Sequence, residues 1–156
     1  GVRVAGGDVT GNADTEIVTL RNTGMPQVRL FDGAGVQFGQ FSAGSGAGSA
    51  LALGNVIGSS KLEILIGAGP GAPGLVRIFR GDTLALHNTL APYGAFKGGV
   101  RVAAVDRDGD GIADLITAPA SLMKSNVRVF DAVGFPLVES FLAFEAAFQG
   151  GVFVAG

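Results

Sequence analysis

The nine-residue stretch DRDGDGIAD, from Asp106 to Asp114, concentrates four carboxylates and two glycines between two apolar runs. Carboxylates this close repel one another, because two unit charges about 4 Å apart cost about 4 kcal/mol at an effective dielectric constant near 20. A bound cation removes that repulsion. Calcium suits this donor set, since it is a hard ion that takes six to eight oxygens in flexible geometry, whereas magnesium prefers a rigid octahedron and keeps its waters.

The spacing of the acidic residues places candidate ligands at alternate positions of one tight loop. With Asp106 as position 1, Asp108 and Asp110 stand at positions 3 and 5, so all three carboxylates can point inward. Ile112 at position 7 offers its backbone carbonyl, and Asp114 at position 9 closes the site. Position 12, where an EF-hand needs a bidentate glutamate, is a threonine, which excludes an EF-hand. The alternative is a solvated Asp/Gly hairpin turn that holds no metal.

The acidic loop belongs to the third copy of an internal repeat. Three segments align: VRVAGGDVTGNADTEIVTL from Val2, SALALGNVIGSSKLEILIG from Ser49, and VRVAAVDRDGDGIADLITA from Val100. A second landmark follows each segment, as QVRLFDG, LVRIFRG and NVRVFDA. The chain therefore divides into three units of about fifty residues and the start of a fourth. The units are, approximately, 1–47, 48–98 and 99–150, with 151–156 as the first strand of a further unit.

Each unit is predicted to form four short strands, separated by Gly, Pro, Asn and Ser. The predicted strands of the first and third units are Val2–Gly7, Glu16–Leu20, Gln27–Phe31, Val36–Phe41, Val100–Val105, Asp114–Ala118, Asn126–Phe130 and Pro136–Phe144. Apolar residues on both sides of the strands indicate sheets buried on both faces. We therefore predict an all-β fold, a β-propeller of four-stranded antiparallel blades with about three blades plus one extra strand in this chain. A β-sandwich is the alternative, but it does not explain landmarks that recur at one offset.

The corresponding loops of the first two units carry weaker donor sets. The candidates for a weak calcium site in the first unit are Asp8, Thr10, Asn12, Asp14 and Glu16. This loop has less charge and no glycine at position 6. In the second unit, Ile57 supplies no ligand at position 3 and Lys61 adds a positive charge. We expect that loop to bind no metal and Lys61 to lie near Glu63.

The composition limits the other functions. A net charge of −2 and a pI near 5.2 give no basic surface for nucleic acid, and no apolar run approaches the length of a membrane span. The chain has no cysteine, hence neither a disulfide framework nor a thiolate metal site. No catalytic constellation is visible, since the single histidine, His87, is more typical of a surface residue and no nucleophile elbow occurs. We therefore expect no enzymatic activity.

Arginines recur at one place in each unit, as Arg29, Arg77 and Arg128. They would form either a ring of cations for an acidic ligand or a set of packing residues. In the second case each stem packs between units and each guanidinium pairs with an acid or a carbonyl. Repetition at one structural position favours packing.

The loop between the first two strands, with IGAGPG following it at Ile66–Gly71, resembles the FG-GAP repeat of integrin α-subunit propellers and is similar to bacterial VCBS-type repeats. The resemblance covers nearly the whole chain. It implies that the five loop positions of the third unit are calcium ligands and that the ion stiffens one rim of a propeller, away from the ligand surface. Three blades are too few to close a ring. The units are thus expected to join further blades of a longer chain or other copies of the chain, with 151–156 adding to a neighbouring blade.

The main functional expectation is a non-catalytic calcium-binding module, extracellular or at the cell surface, for adhesion, ligand binding or surface assembly. Loops of this kind suit calcium affinities of about 10⁻⁴–10⁻³ M, as in extracellular modules. The expected partners are neighbouring blades, further copies of the chain, or a protein or glycan ligand. One alternative is the accessory propeller of a secreted enzyme that acts on polysaccharide or lipid. Another is a self-assembling structural subunit joined by strand exchange.

Overall fold

Short strands joined by tight turns build the described structure. A computed structural model describes residues 1–44 and 46–156. Within these ranges, twelve strands form three four-stranded antiparallel sheets, and there is no helix. In each sheet the strands lie in chain order, so every connection is a hairpin. The all-β prediction and the four-stranded antiparallel sheets are confirmed, and the three sheets do not close into a ring.

The three sheets fall one in each predicted unit. Sheet 1 consists of β1 Val2–Gly7, β2 Glu16–Arg21, β3 Gln27–Phe31 and β4 Gln37–Ser42. Sheet 2 consists of β5 Ala50–Gly54, β6 Glu63–Gly67, β7 Val76–Phe79 and β8 Leu86–Leu90. Sheet 3 consists of β9 Val100–Val105, β10 Asp114–Pro119, β11 Asn126–Phe130 and β12 Leu137–Leu142. The strand predicted over Pro136–Phe144 is shorter at both ends, because the backbone groups of Pro136 and Ala143 bond to turns instead.

Sheet 2 lies between the other two sheets and is buried on both faces. Successive residues of a strand point to opposite faces, so the continuous apolar run of β6 supplies both cores. One core joins sheets 1 and 2 and includes Val18, Leu20, Leu30, Ile64, Ile66 and Phe79. The other joins sheets 2 and 3 and includes Leu65, Val76, Ile78, Val102, Leu115 and Phe130. Sheet 2 is therefore held by two neighbours and each outer sheet by one.

The first strands of the sheets lie side by side around a common cavity. β5 contacts β1 on one side and β9 on the other. Residues 151–156 continue this series beside β9, with the Val152 N–H donating to the Pro119 carbonyl at 3.0 Å, although they are not paired into any sheet. The cavity, of about 290 Å³, is lined by alanines at the same place in each repeat, Ala5, Ala52, Ala103 and Ala155. This serial arrangement of three sheets differs from the two facing sheets of a sandwich.

No helix in the described part of the chain is long and apolar enough to cross a membrane.

Candidate metal centre

The hairpin loops between the first two strands of each sheet share one backbone turn. We call residues 8–15 loop 1, residues 55–62 loop 2 and residues 106–113 loop 3; each is followed by an acidic residue that begins the next strand. Position 4 of each loop is a glycine with positive φ, as Gly11 (82°), Gly58 (70°) and Gly109 (81°). Only glycine adopts this conformation at little cost. The sequence analysis considered the glycine at position 6 and missed the one at position 4, although all three copies carry it.

Loop 3 brings three carboxylates together at the surface. Oxygens of Asp106, Asp108 and Asp110 lie within 4.8 Å of one another, the only such group of potential ligands in the described residues. Backbone groups of the same loop hold the first of these side chains. The N–H of Gly109 donates to Oδ1 of Asp106 at 2.7 Å, and the N–H of Gly111 donates to Oδ2 at 3.0 Å. Three of the five predicted ligands are thus placed together by the local fold.

The other two predicted ligands of loop 3 lie differently. Ile112 donates its N–H to Oδ1 of Asp110 at 2.7 Å and contributes no side-chain oxygen. Asp114, at the start of β10, is outside the group of three and only 4% exposed. Its Oδ2 has no hydrogen-bond partner, although Nε of Arg107 lies 3.3 Å away. Burial raises the pKa of Asp114, and the charge of Arg107 opposes this effect.

Loop 1 satisfies its first carboxylate with its own backbone. Asp8 accepts hydrogen bonds from the N–H groups of Gly11 at 2.6 Å, Asn12 at 3.2 Å and Ala13 at 2.9 Å. Burial acts to raise the pKa of Asp8, but these backbone hydrogen bonds lower it overall. Ala13, at position 6, adopts the same positive φ (69°) as the glycine of loop 3, so the missing glycine does not change the turn.

The remaining candidates of loop 1 also bond within the loop. Glu16 accepts from the N–H of Val9 at 2.9 Å through Oε2 and from the hydroxyl of Thr10 at 3.2 Å through Oε1. Oδ1 of Asn12 accepts from the N–H of Asp14 at 2.9 Å. The structure therefore does not gather the five candidates of loop 1 around one point.

Loop 2 is closed by internal hydrogen bonds and by a salt bridge. Glu63 accepts from the N–H of Val56 at 2.9 Å and from the hydroxyl of Ser59 at 3.0 Å, and burial raises its pKa. Lys61 was expected near Glu63, and this expectation is wrong. Its ammonium group bonds Oδ2 of Asp82 at 2.6 Å. The reason is solvation, since Glu63 is only 1% exposed, whereas Asp82 keeps the ammonium group at the surface.

The recurring arginines join neighbouring sheets. Arg77 of sheet 2 donates to the Ala43 carbonyl at 3.2 Å, at the end of sheet 1, and Arg128 of sheet 3 donates to the Pro92 carbonyl, at the end of sheet 2. The packing interpretation is therefore confirmed for these two. Arg29 lies on the outward face of sheet 1 and donates to the side chain of Gln27 at 3.4 Å.

A scan against protein-family models finds no match for this chain, and no curated protein matches its sequence.

Proposed function

We propose that this protein is a calcium-binding module of the FG-GAP type, a non-catalytic β-propeller segment in which loop 3 holds one calcium ion. The observation that carries the proposal is the convergence of Asp106, Asp108 and Asp110 within 4.8 Å on a loop whose backbone fixes them. The carbonyl of Ile112 and the carboxylate of Asp114 would complete the ligand set.

The chemistry of loop 3 fits calcium better than a bare turn. All the available donors are oxygens, and their number and flexible spacing suit a hard cation of six to eight ligands. The buried Oδ2 of Asp114 is an acceptor without a hydrogen bond, and such groups are rare unless an unseen ligand satisfies them. A turn without a metal leaves both this oxygen and the repulsion of three carboxylates uncompensated. The bound ion would tie loop 3 to β10 and so stiffen the hairpin.

The arrangement of the sheets supports the propeller part of the proposal. Successive four-stranded sheets follow chain order, and their first strands surround a common cavity. Sheet 2, buried on both faces, has the environment of a blade within a propeller. Because propellers have about four to eight blades, further units complete the ring.

The setting that fits such a site is outside the cell. Exposed aspartate loops of this size bind calcium with dissociation constants of about 10⁻⁴–10⁻³ M when they belong to extracellular modules. At millimolar calcium the site is filled and the rim is rigid. We therefore assign the module to adhesion, ligand binding or surface assembly, with the sheets as scaffold.

Thermal unfolding tests this function. Wild-type protein in millimolar calcium should unfold about 2–8 °C above protein in chelator, because ligand at roughly ten times the dissociation constant adds about 1.4 kcal/mol. Asp108→Ala should abolish the difference. Glu145→Ala removes the same charge from an exposed position outside the three loops and should retain it. Equal melting temperatures of the wild-type protein in calcium and in chelator would refute the site.

A further inference from the structure

The outward faces of sheets 1 and 3 are exposed and apolar. On sheet 1, Val2 and Val4 are 62% and 66% exposed. On sheet 3, Phe141 and Phe144 are 46% and 53% exposed. Each outer sheet thus has one face like those of sheet 2 that nothing within the described residues covers. The two faces are also complementary, because they correspond to the two partners of each interface already present in the chain.

Aromatic contacts show this correspondence. Between sheets 1 and 2, Phe41 of β4 packs on Phe79 of β7, with ring centroids 4.5 Å apart. The corresponding residues between sheets 2 and 3, Leu90 and Phe130, belong to one core. The next pair in the series is Phe141 on the outward face of sheet 3 and Phe31 on the outward face of sheet 1. Both residues are in place, but at opposite ends of the molecule.

The arginine contacts follow the same series. Arg77 and Arg128 each donate to a carbonyl just after the last strand of the preceding sheet, those of Ala43 and Pro92. The equivalent arginine of sheet 1 is Arg29, which has no preceding sheet within the chain. The equivalent carbonyl after sheet 3 belongs to Ala143, which is exposed (Ala143 is the first residue after β12).

Backbone bonds between the loops repeat it once more. The N–H at position 8 of loop 2 (Leu62) donates to the carbonyl at position 1 of loop 1 (Asp8) at 2.9 Å. The N–H of Ala113 in loop 3 donates likewise to the Asn55 carbonyl of loop 2 at 2.8 Å. Position 1 of loop 3 and position 8 of loop 1 are left for the same bond with a further unit.

The terminal segment indicates how such a contact would form. Residues 151–156 read GVFVAG and residues 1–6 read GVRVAG, so the two segments differ only in Phe153 against Arg3. Residues 151–156 already lie beside β9, where the guanidinium of Arg101 stands 4.5 Å from the ring of Phe153. If residues 1–6 took this place, Arg3 would meet Arg101, two like charges. The segment that fits beside β9 is therefore 151–156, which has no strand paired to its free edge.

The geometry points to a second copy of this chain as the partner of the sheet 3 face. The outward face of sheet 1 of the second copy packs on the outward face of sheet 3 of the first. Residues 151–156 of the first copy pair with β2 of the second, in place of its residues 1–6. Exchange of nearly identical segments keeps the number of strand pairings, which is why such swaps form dimers at low cost. Two copies would bring six sheets together, within the range of about four to eight blades of a closed propeller.

Solution mass tests the association without any substitution. Light scattering of the 156-residue chain over a range of concentrations should give a discrete multiple of 15.6 kDa. Phe141→Asp should weaken association about tenfold or more, because a charge would enter an apolar contact at the centre of the interface. Leu122→Asp, at an exposed residue of the β10–β11 turn, is the matched control and should leave the mass unchanged.

Disulfide trapping tests the exchange of strands, and the absence of native cysteines makes it clean. In β1, Val4 lies opposite Thr19, so in the swapped pair Val154 of one copy should lie opposite Thr19 of the other. A mixture of Val154→Cys and Thr19→Cys proteins should form the mixed disulfide. A mixture of Ala155→Cys and Thr19→Cys should not, because residue 155 points to the opposite face.

The outcomes separate cleanly. A discrete multiple with the register-specific disulfide supports the proposal. A monomer at all concentrations overturns it and leaves the face to a different partner, such as further units of a longer chain. A multiple in which both cysteine mixtures react equally, or neither reacts, overturns the strand exchange. Because the contact involves no metal, the experiment is run in calcium and in chelator, and failure of calcium binding does not affect it.

Discussion

Loops 2 and 3 share a backbone turn but balance their charges in opposite ways. Loop 2 places a lysine, Lys61, against Asp82 and saturates Glu63 with the N–H of Val56 and the hydroxyl of Ser59. Loop 3 gathers three carboxylates and leaves an oxygen of its buried Asp114 without a hydrogen bond. One loop is complete with the groups of the chain, and the other has an excess of acceptors.

A single methylene group accounts for much of this difference. In loops 1 and 2 the acid that begins the second strand is a glutamate, long enough to accept the N–H at position 2 of its loop, that of Val9 or Val56. In loop 3 the same place is an aspartate, and its nearest cation is the side chain of Arg107. The shorter side chain leaves an oxygen near the acidic cluster, available to an ion. The repeat thus converts between a self-sufficient hairpin and a metal site by small changes at a few positions.

The largest effect is expected from removing the internal acid of loop 2. Glu63→Ala should lower the free energy of unfolding by about 2–4 kcal/mol, because it leaves the Val56 N–H and the Ser59 hydroxyl without their acceptor in a buried site. Calcium should not change this loss. In chelator, Asp114→Ala should cost clearly less, since one of its oxygens has no partner to lose. Urea denaturation of both variants measures the contrast, and equal losses would show that the two loops are not built differently.

A smaller effect should follow from converting loop 3 to the plan of the other loops. Asp114→Glu should let the carboxylate reach the backbone N–H of Arg107, as Glu16 and Glu63 reach theirs. In chelator we expect a gain of about 1 kcal/mol, the value of one added hydrogen bond. The stabilisation by calcium should shrink at the same time. A variant that keeps the full calcium effect, measured by urea denaturation with and without calcium, would show that Asp114 is not a ligand.

The smallest effect concerns the salt bridge of loop 2 at low pH. The hydrogen bond from Lys61 lowers the pKa of Asp82 to about 2, whereas the unfolded chain has a pKa of about 3.9. The pair therefore stabilises the fold above about pH 4, and this contribution is lost as the pH falls to about 2. Lys61→Met should be slightly less stable at neutral pH and lose this part of the acid dependence. If wild type and variant showed parallel stability curves from pH 5 to pH 2, the pair would contribute nothing.

Much of the fold could be predicted from periodicity and repetition. Alternating apolar residues bounded by glycine predicted strands such as Val100–Val105 and Gln27–Phe31 with their observed bounds. The recurrence of Arg77 and Arg128 predicted that they join units through carbonyls, since side chains at equivalent places of a repeat meet equivalent surroundings. Both predictions depend on local pattern, which the chain states three times.

The partners of charged side chains could not be predicted in the same way. The salt bridge from Lys61 to Asp82 joins two different turns, and only the pairing of β6 with β7 brings them together. Arg107 folds back to Asp114 across its own hairpin, which depends on the shape of the turn rather than on spacing. Ala13 adopts the positive φ expected of glycine, so absence of glycine at that position was no evidence against the turn. These features depend on tertiary context that a sequence pattern does not contain.

A calcium titration followed by the backbone amide resonances of the labelled protein compares the three loops in one experiment. The account predicts that amides of loop 3, above all those of Gly109 and Gly111, shift and saturate together at about millimolar calcium, while those of loop 2 stay unchanged and those of loop 1 respond weakly or not at all. A titration in which loop 3 shows no saturable shift, or in which all three loops respond equally, would contradict it.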